Sequence, residues 1–190
     1  YTKEGVDTIP PTDYFAMYSI MPGSETTAEE IMESVDEAVE KNGILVFCFH
    51  GISDTIANSL TTRKSEADEV FGKVGEYVAE DKVWNPFYAD AVKYMKETET
   101  AKATMETTGD AIEVTVTDEL DNEIFDYPLT VKVPVPADWE YALLTQGERT
   151  ETNVKTFIEN GETFVYANVV PDAGKATVVK SELILDDLAL

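Results

Sequence analysis

His50 is the only histidine in the chain, and it stands at the end of the apolar run Ile44-Leu45-Val46-Phe47-Cys48-Phe49. An imidazole titrates near neutrality, so a histidine at such a place can hold a proton and release it to a leaving group as a general acid. That role needs a carboxylate to fix the ring's tautomer. Asp13, ahead of an apolar segment that could neighbour the His50 strand, and Asp54, close by in sequence, both qualify, and the residues do not choose between them. The same position also suits a histidine that only caps a strand end by hydrogen bonding. One histidine excludes a paired-His zinc centre within this sequence. Ser53 lies near His50 but in no Gly-x-Ser-x-Gly elbow, and there is no Gly-rich phosphate loop. Trp84 and Trp139 could stack on sugar rings, although tryptophans in strands more often anchor a core. Cys48, the single cysteine, reads as a buried core thiol. With no second cysteine there is no internal disulfide, which is compatible with an extracellular or cell-surface location and does not exclude the cytoplasm.

The elements that would carry these residues are legible from periodicity. Residues 1–12 read as an entry loop, with Pro10 and Pro11 excluding helix. Residues 14–20 and 44–49 are strand candidates, the second apolar throughout, as in parallel sheets covered on both faces. Between them a helix is expected over 27–41, with Thr27 and Glu30 as a capping box and Ala28, Ile31, Val35, Ala38 and Val39 inward. Gly43 suits a left-handed cap after it. A second helix is expected over 65–80, with Ala67, Val70, Phe71, Val74, Tyr77 and Val78 inward. A short strand is expected over 82–85, and a third helix over 87–97 with Val92 and Met95 inward. This alternation argues for parallel strands.

Near Glu99 the pattern changes to short alternating strands: 102–107, 111–117, 129–135, 140–146, 153–158, 162–168 and 175–181. Asn160-Gly161 is the strongest hairpin signal. The expected fold is therefore α/β followed by all-β. A partial (β/α) barrel or open parallel layer would span 1–98, and a C-terminal β-sandwich 99–190.

The chain has 14 basic and 38 acidic residues, a net charge of −24. Such a surface repels phosphate backbones and anionic lipids, which argues against nucleic acid and membrane surfaces as partners. No apolar run reaches the length of a membrane span. Cations and uncharged sugars remain compatible. The start at Tyr1 suggests a removed leader or a trimmed chain.

The segment Gly43-Ile44-Leu45-Val46-Phe47-Cys48-Phe49-His50-Gly51-Ile52 resembles the late strand of polysaccharide deacetylase-like proteins, where an apolar strand ends in a catalytic histidine. Val83-Trp84-Asn85-Pro86-Phe87-Tyr88 and the helix after it resemble the closing strand and helix of that family's barrel. Pro128-Leu129-Thr130-Val131 and Pro171-Asp172-Ala173-Gly174 resemble its β appendage. The resemblance implies a deformed (β/α) barrel and metal-dependent removal of acetyl groups from an acetylated carbohydrate. A zinc-like divalent metal would serve the complete enzyme. His50 would be the general acid and Asp13 the carboxylate that tunes it. Cys48 would replace a leucine of the acetyl pocket, and Trp84 would contact substrate. The family's Thr-Phe-Asp-Asp and His-x-x-x-His motifs are absent. The resemblance thus implies that this chain binds no metal alone, and that a missing N-terminal half or an oligomer partner would have to complete the site. The rival reading is a noncatalytic carbohydrate-binding or cell-surface interaction module.

Overall fold

Thr27 and Glu30 start the first helix as their spacing demands. In the computed structural model, which describes residues 5–184, α1 (Ala28–Lys41) has Thr27 as its N-cap. The Glu30 amide donates to Thr27 Oγ1 at 3.3 Å, and the Thr27 amide donates to Glu30 Oε2 at 2.9 Å. Ala28, Ile31, Met32 and Val35 form the buried face. At the far end Asn42, not Gly43, takes the left-handed conformation, with φ 48°. Gly43 is needed for space instead. Asp7 and Ile44 exchange both backbone hydrogen bonds at 2.9 Å. A Cβ at Gly43 would lie 2.4 Å from Val6 Cγ1 and 2.6 Å from the Asp7 carbonyl oxygen.

The chain divides into two units, 1–87 and 88–190. The first holds α1, α2 (Lys64–Ala79) and two short parallel pairs: β1 (Ser19–Ile20) beside β2 (Val46–Phe47), and β3 (Gly51–Ser53) beside β4 (Thr61–Arg63). These sheets are open, and among the described residues no barrel, whole or partial, is built. The reasons are local. Residues 14–16 turn, because Asp13 Oδ1 accepts from the Phe15 amide at 2.8 Å and the Asp13 carbonyl from Ala16 N at 3.1 Å. Residues 82–85 join no ladder. Of the run 44–49 only Val46 and Phe47 are in a strand. The core of this unit is small: the buried face of α1 with Val70, and Leu45, Phe47, Val74, Tyr77 and Val83 packed around it. Phe71 and Val78, expected inward on α2, are exposed.

The second unit begins with α3 (Tyr88–Thr100), a helix the sequence pattern grouped with the α/β part; its Tyr94 packs against the core of the strands that follow. Two antiparallel sheets come next. One has five strands in the order β5 (Lys102–Thr108), β6 (Ala111–Thr117), β12 (Ala176–Ser181), β8 (Tyr141–Gln146), β9 (Arg149–Lys155). The other has three, β10 (Phe157–Glu159), β11 (Glu162–Val169) and β7 (Leu129–Pro134). Alternation decides what they bury. Ile112, Val114 and Val116 of β6, Leu129 and Val133 of β7, Ala142 and Leu144 of β8, Val165, Ala167 and Val169 of β11, and Ala176 and Val178 of β12 make one shared core with Trp139. Asn160 and Gly161, with φ 52° and 84°, form the tight turn joining β10 to β11. Gln146, buried, pins the segment between β11 and β12. Its Nε2 donates to the carbonyls of Val170 (2.8 Å) and Gly174 (3.0 Å), and its Oε1 accepts from Val170 N (2.9 Å).

The two kinds of glycine in the first unit should respond oppositely to a methyl group. Gly43→Ala should destabilise this unit by about 1–3 kcal/mol through the clash with residues 6 and 7. Gly72→Ala, inside α2 with nothing near its absent Cβ, should stabilise by about 0.5–1 kcal/mol. Urea unfolding followed by tryptophan emission tests both, and equal effects of the two substitutions would contradict the packing described.

Candidate functional site

Strand β11 carries small apolar residues on its inner face and large aromatic ones on its outer face. Thr163, Val165, Ala167 and Val169 are buried, whereas Phe164, Tyr166 and Asn168 point the other way. Register extends that outer face across the three-stranded sheet. Phe164 lies between Phe157 and Pro134, Tyr166 opposite Lys132, and Asn168 opposite Thr130. The Phe157 ring stacks on Tyr166 at 4.3 Å and 24°, and on Phe164 at 5.8 Å and 29°. Lys132 Nζ lies 4.2 Å from the Phe164 centroid and 5.7 Å from that of Phe157, and it is ion-paired with Glu159. Tyr166 remains 53% exposed.

The polar border of this surface is fixed by hydrogen bonds. Thr130 Oγ1 donates to Asn168 Oδ1 at 2.8 Å, and Asn168 Nδ2 donates to Glu151 at 3.3 and 3.4 Å. Arg149 pairs with Glu151 and donates to the Asn168 carbonyl, so the edge of one sheet is tied to the other. Rings held by stacking, with amide, hydroxyl and charged groups at their edge, suit a ligand with both an apolar face and hydroxyls.

A second cluster lies where α3 meets the strands. Glu97 is fully buried; its Oε1 accepts from the Tyr127 amide at 3.1 Å, and its Oε2 has no hydrogen-bond partner. Burial is the main reason its carboxyl is pushed up from 4.5 to about 7. The Tyr127 amide and Lys93 oppose that shift, while Asp118 and Asp126 add to it. Lys93 is itself bound to Asp126 at 2.6 Å.

Of the residues singled out from sequence, His50, Asp13, Cys48 and Trp84 lie in the first unit, whereas Trp139 is buried in the core of the second rather than presenting its ring to a sugar. His50 is exposed in a bend just before β3. No hydrogen bond or ion pair joins it to Asp13 or Asp54 among the described residues. Asp13 is exposed and spends Oδ1 on the Phe15 amide. Cys48 is exposed rather than buried: the strand ends at Phe47, and only the Cys48 amide continues the ladder, to the Ile20 carbonyl at 2.9 Å. Trp84 is 53% exposed. Among the described residues no group of three or more His, Cys, Asp or Glu side chains is placed to hold a metal, and no helix is long and apolar enough to cross a membrane. Neither the aromatic surface nor Glu97 is expected from the sequence pattern. The signal for the first was the alternation of Val and Ala with Phe and Tyr along 163–169. Glu97 carried only its helical spacing from Tyr94.

Comparison with known proteins gives a short match. A gellan lyase from Bacillus sp is 35% identical to this chain over 100 residues, which is 52% of this chain and 4% of that protein. The chain thus spans a small fraction of that relative. No family model matches, and no solved structure matches. The match corrects the resemblance drawn from the His50 strand. It falls on a polysaccharide lyase by name and not on a deacetylase, which overturns the deacetylase and hydrolase expectation.

The sign of the Glu97 effect is fixed by its carboxyl being raised in the folded state. The native protein binds the extra proton between pH 4.5 and about 7. The stability this provides is complete below that window and lost as pH rises through it. With divalent ions chelated, the wild-type protein should lose on the order of 1–3 kcal/mol across the window relative to Glu97→Gln. Urea unfolding at stepped pH measures the difference, and parallel curves would refute the assignment.

Proposed function

We propose that this protein is an accessory, carbohydrate-binding part of a polysaccharide-processing system, and that the outer face of β10, β11 and β7 is its contact surface. The observation that carries the reading is the stack of Phe157, Phe164 and Tyr166 on a solvent-facing sheet, bordered by Thr130, Asn168 and Lys132. Pyranose rings offer C–H groups on one face and hydroxyls at the rim, and an aromatic surface with a polar border answers both. The same rings also strengthen the sheet as cross-strand pairs, so exposure of Tyr166 is what separates recognition from support.

The short match to a gellan lyase supports the carbohydrate assignment. A stretch of 100 residues that makes up 4% of the relative is comparable in size to either unit of this chain, as expected of a module repeated among otherwise different proteins. In this reading the two sheets form a sandwich-like binding domain. Its polymeric partner would be met outside the cell or at the cell surface. The strongly acidic surface favours neutral stretches of polysaccharide over densely anionic ones, because like charges repel during approach.

Affinity electrophoresis through gels containing gellan, or neutral glucans and mannans, tests this. At least one polysaccharide should retard the protein, and Tyr166→Ala should weaken binding about five- to tenfold, near 1–1.4 kcal/mol. Retardation by none of them, or unchanged retardation of a folded Tyr166→Ala variant, would defeat the proposal.

A further inference from the structure

We propose that Glu97, Thr100 and Asp118 form a binding site for a hard divalent cation of the calcium class at the junction of α3 with the five-stranded sheet. Three side-chain oxygens there are buried and lack any hydrogen-bond partner: Glu97 Oε2, Thr100 Oγ1 and Asp118 Oδ2. Buried polar atoms are almost always satisfied, so several orphans in one place indicate a missing partner. All three are acceptors or, for the hydroxyl, can act as one. What they lack is a donor or a positive centre, and a divalent cation would serve both carboxylates at once.

The backbone brings them together. Glu97 and Thr100 are one turn apart at the end of α3, where the Ala101 amide closes on the Glu97 carbonyl at 2.9 Å. Strand β5 leaves that helix and pairs Lys102 with Thr117. Asp118, the next residue, therefore lies beside the helix end, close enough for its charge to act on Glu97. The other oxygen of each carboxylate is committed: Glu97 Oε1 to the Tyr127 amide at 3.1 Å, and Asp118 Oδ1 to the Leu120 amide at 2.7 Å. Both side chains are thus held in place with one oxygen left over. Glu97 is fully buried, which sets this group apart from an ordinary surface acidic patch. The nearby amines of Lys93 and Lys102 are engaged elsewhere, by Asp126 at 2.6 Å and Glu119 at 3.5 Å.

The donor set determines the ion. Oxygens alone, without thiolate or imidazole, suit calcium or magnesium rather than zinc or copper. Two carboxylates and one hydroxyl leave most of the calcium shell to backbone carbonyls and water, which corresponds to weak binding, with a Kd on the order of 0.1–1 mM. This site is independent of the aromatic face, and either could exist without the other.

The experiment uses the full chain stripped with chelator and dialysed. Terbium luminescence sensitised by Tyr127 and thermal unfolding read by tryptophan emission are recorded against added CaCl2, with NaCl at matched ionic strength as control. Calcium should displace terbium and raise the unfolding temperature saturably in the millimolar range, whereas NaCl should not. Glu97→Gln and Asp118→Asn should abolish both responses; if Glu97→Gln does not fold, Asp118→Asn and Thr100→Val decide. Asp54→Asn, in the other unit, should respond as wild type. A calcium response matched by NaCl, or retained in the folded site variants, would overturn the proposal.

Discussion

Two sheets can approach only as closely as the side chains between them permit, and in the second unit those side chains are mostly valine and alanine. Val114, Val133, Val165, Ala142, Ala167, Ala176 and Val178 are all fully buried. Such small, stiff residues leave no room for a phenylalanine or tyrosine in the shared layer except where Trp139 fills its end. The bulky residues of β10 and β11 are consequently on the outside. Because side chains alternate strictly along a strand, fixing Val165 and Ala167 inward fixes Phe164 and Tyr166 outward, and a slip of one residue would exchange the two sets. The tight turn at Asn160-Gly161 prevents that slip and sets Phe157 against Phe164. The aromatic surface is thus a consequence of how the core is packed.

The junction at α3 follows a different constraint. The helix must pack Tyr94 on the strands and then hand the chain to β5, and Glu97 lies on the helix between those two points. Its carboxylate cannot reach water and receives only one backbone hydrogen bond. In a chain of net charge −24, nearby acids raise the cost of that burial further. Most of the visible ion pairs do not offset it, since Lys41–Glu37, Lys64–Asp68 and Lys73–Glu69 are exposed helix pairs worth little each. Lys93, whose charge opposes the shift, is itself paired with Asp126, so the buried acid is only partly compensated.

How much of this was legible depended on whether one face of an element meets water. Strand 111–117 reads off the sequence to the residue, because Ile112, Val114 and Val116 alternate with polar neighbours. The capping box of α1 was equally plain, its partners being three residues apart. Residues 44–49 were not, because a uniformly apolar run fits a buried strand, a short strand or a loop over a core. The structure keeps only Val46 and Phe47 in a ladder. Residues 163–169 alternate between two apolar kinds, so the period was visible while the choice of face was not. Burial of Glu97 was invisible for another reason. It depends on Tyr127, thirty positions away, approaching with its amide, and no local spacing encodes that.

The His50 segment shows why an apolar strand followed by His-Gly is weak evidence for chemistry. Any strand that leaves a sheet for a polar loop presents this pattern, and catalysis requires in addition a partner that orients the ring and a wall that excludes water. Here the ring is exposed, and Asp13 is committed to a local turn. The strand beneath is two residues long, and Cys48 faces solvent. The second unit has the opposite character. Its alternation extends over the strands that line the core, β6, β7, β8, β11 and β12, whose inward residues agree with one another, so each local choice supports the rest. A departure from that agreement, such as a tyrosine left half in water or a glutamate left wholly out of it, stands out against a consistent background. Function is more safely argued from such departures than from a single residue whose surroundings impose nothing on it.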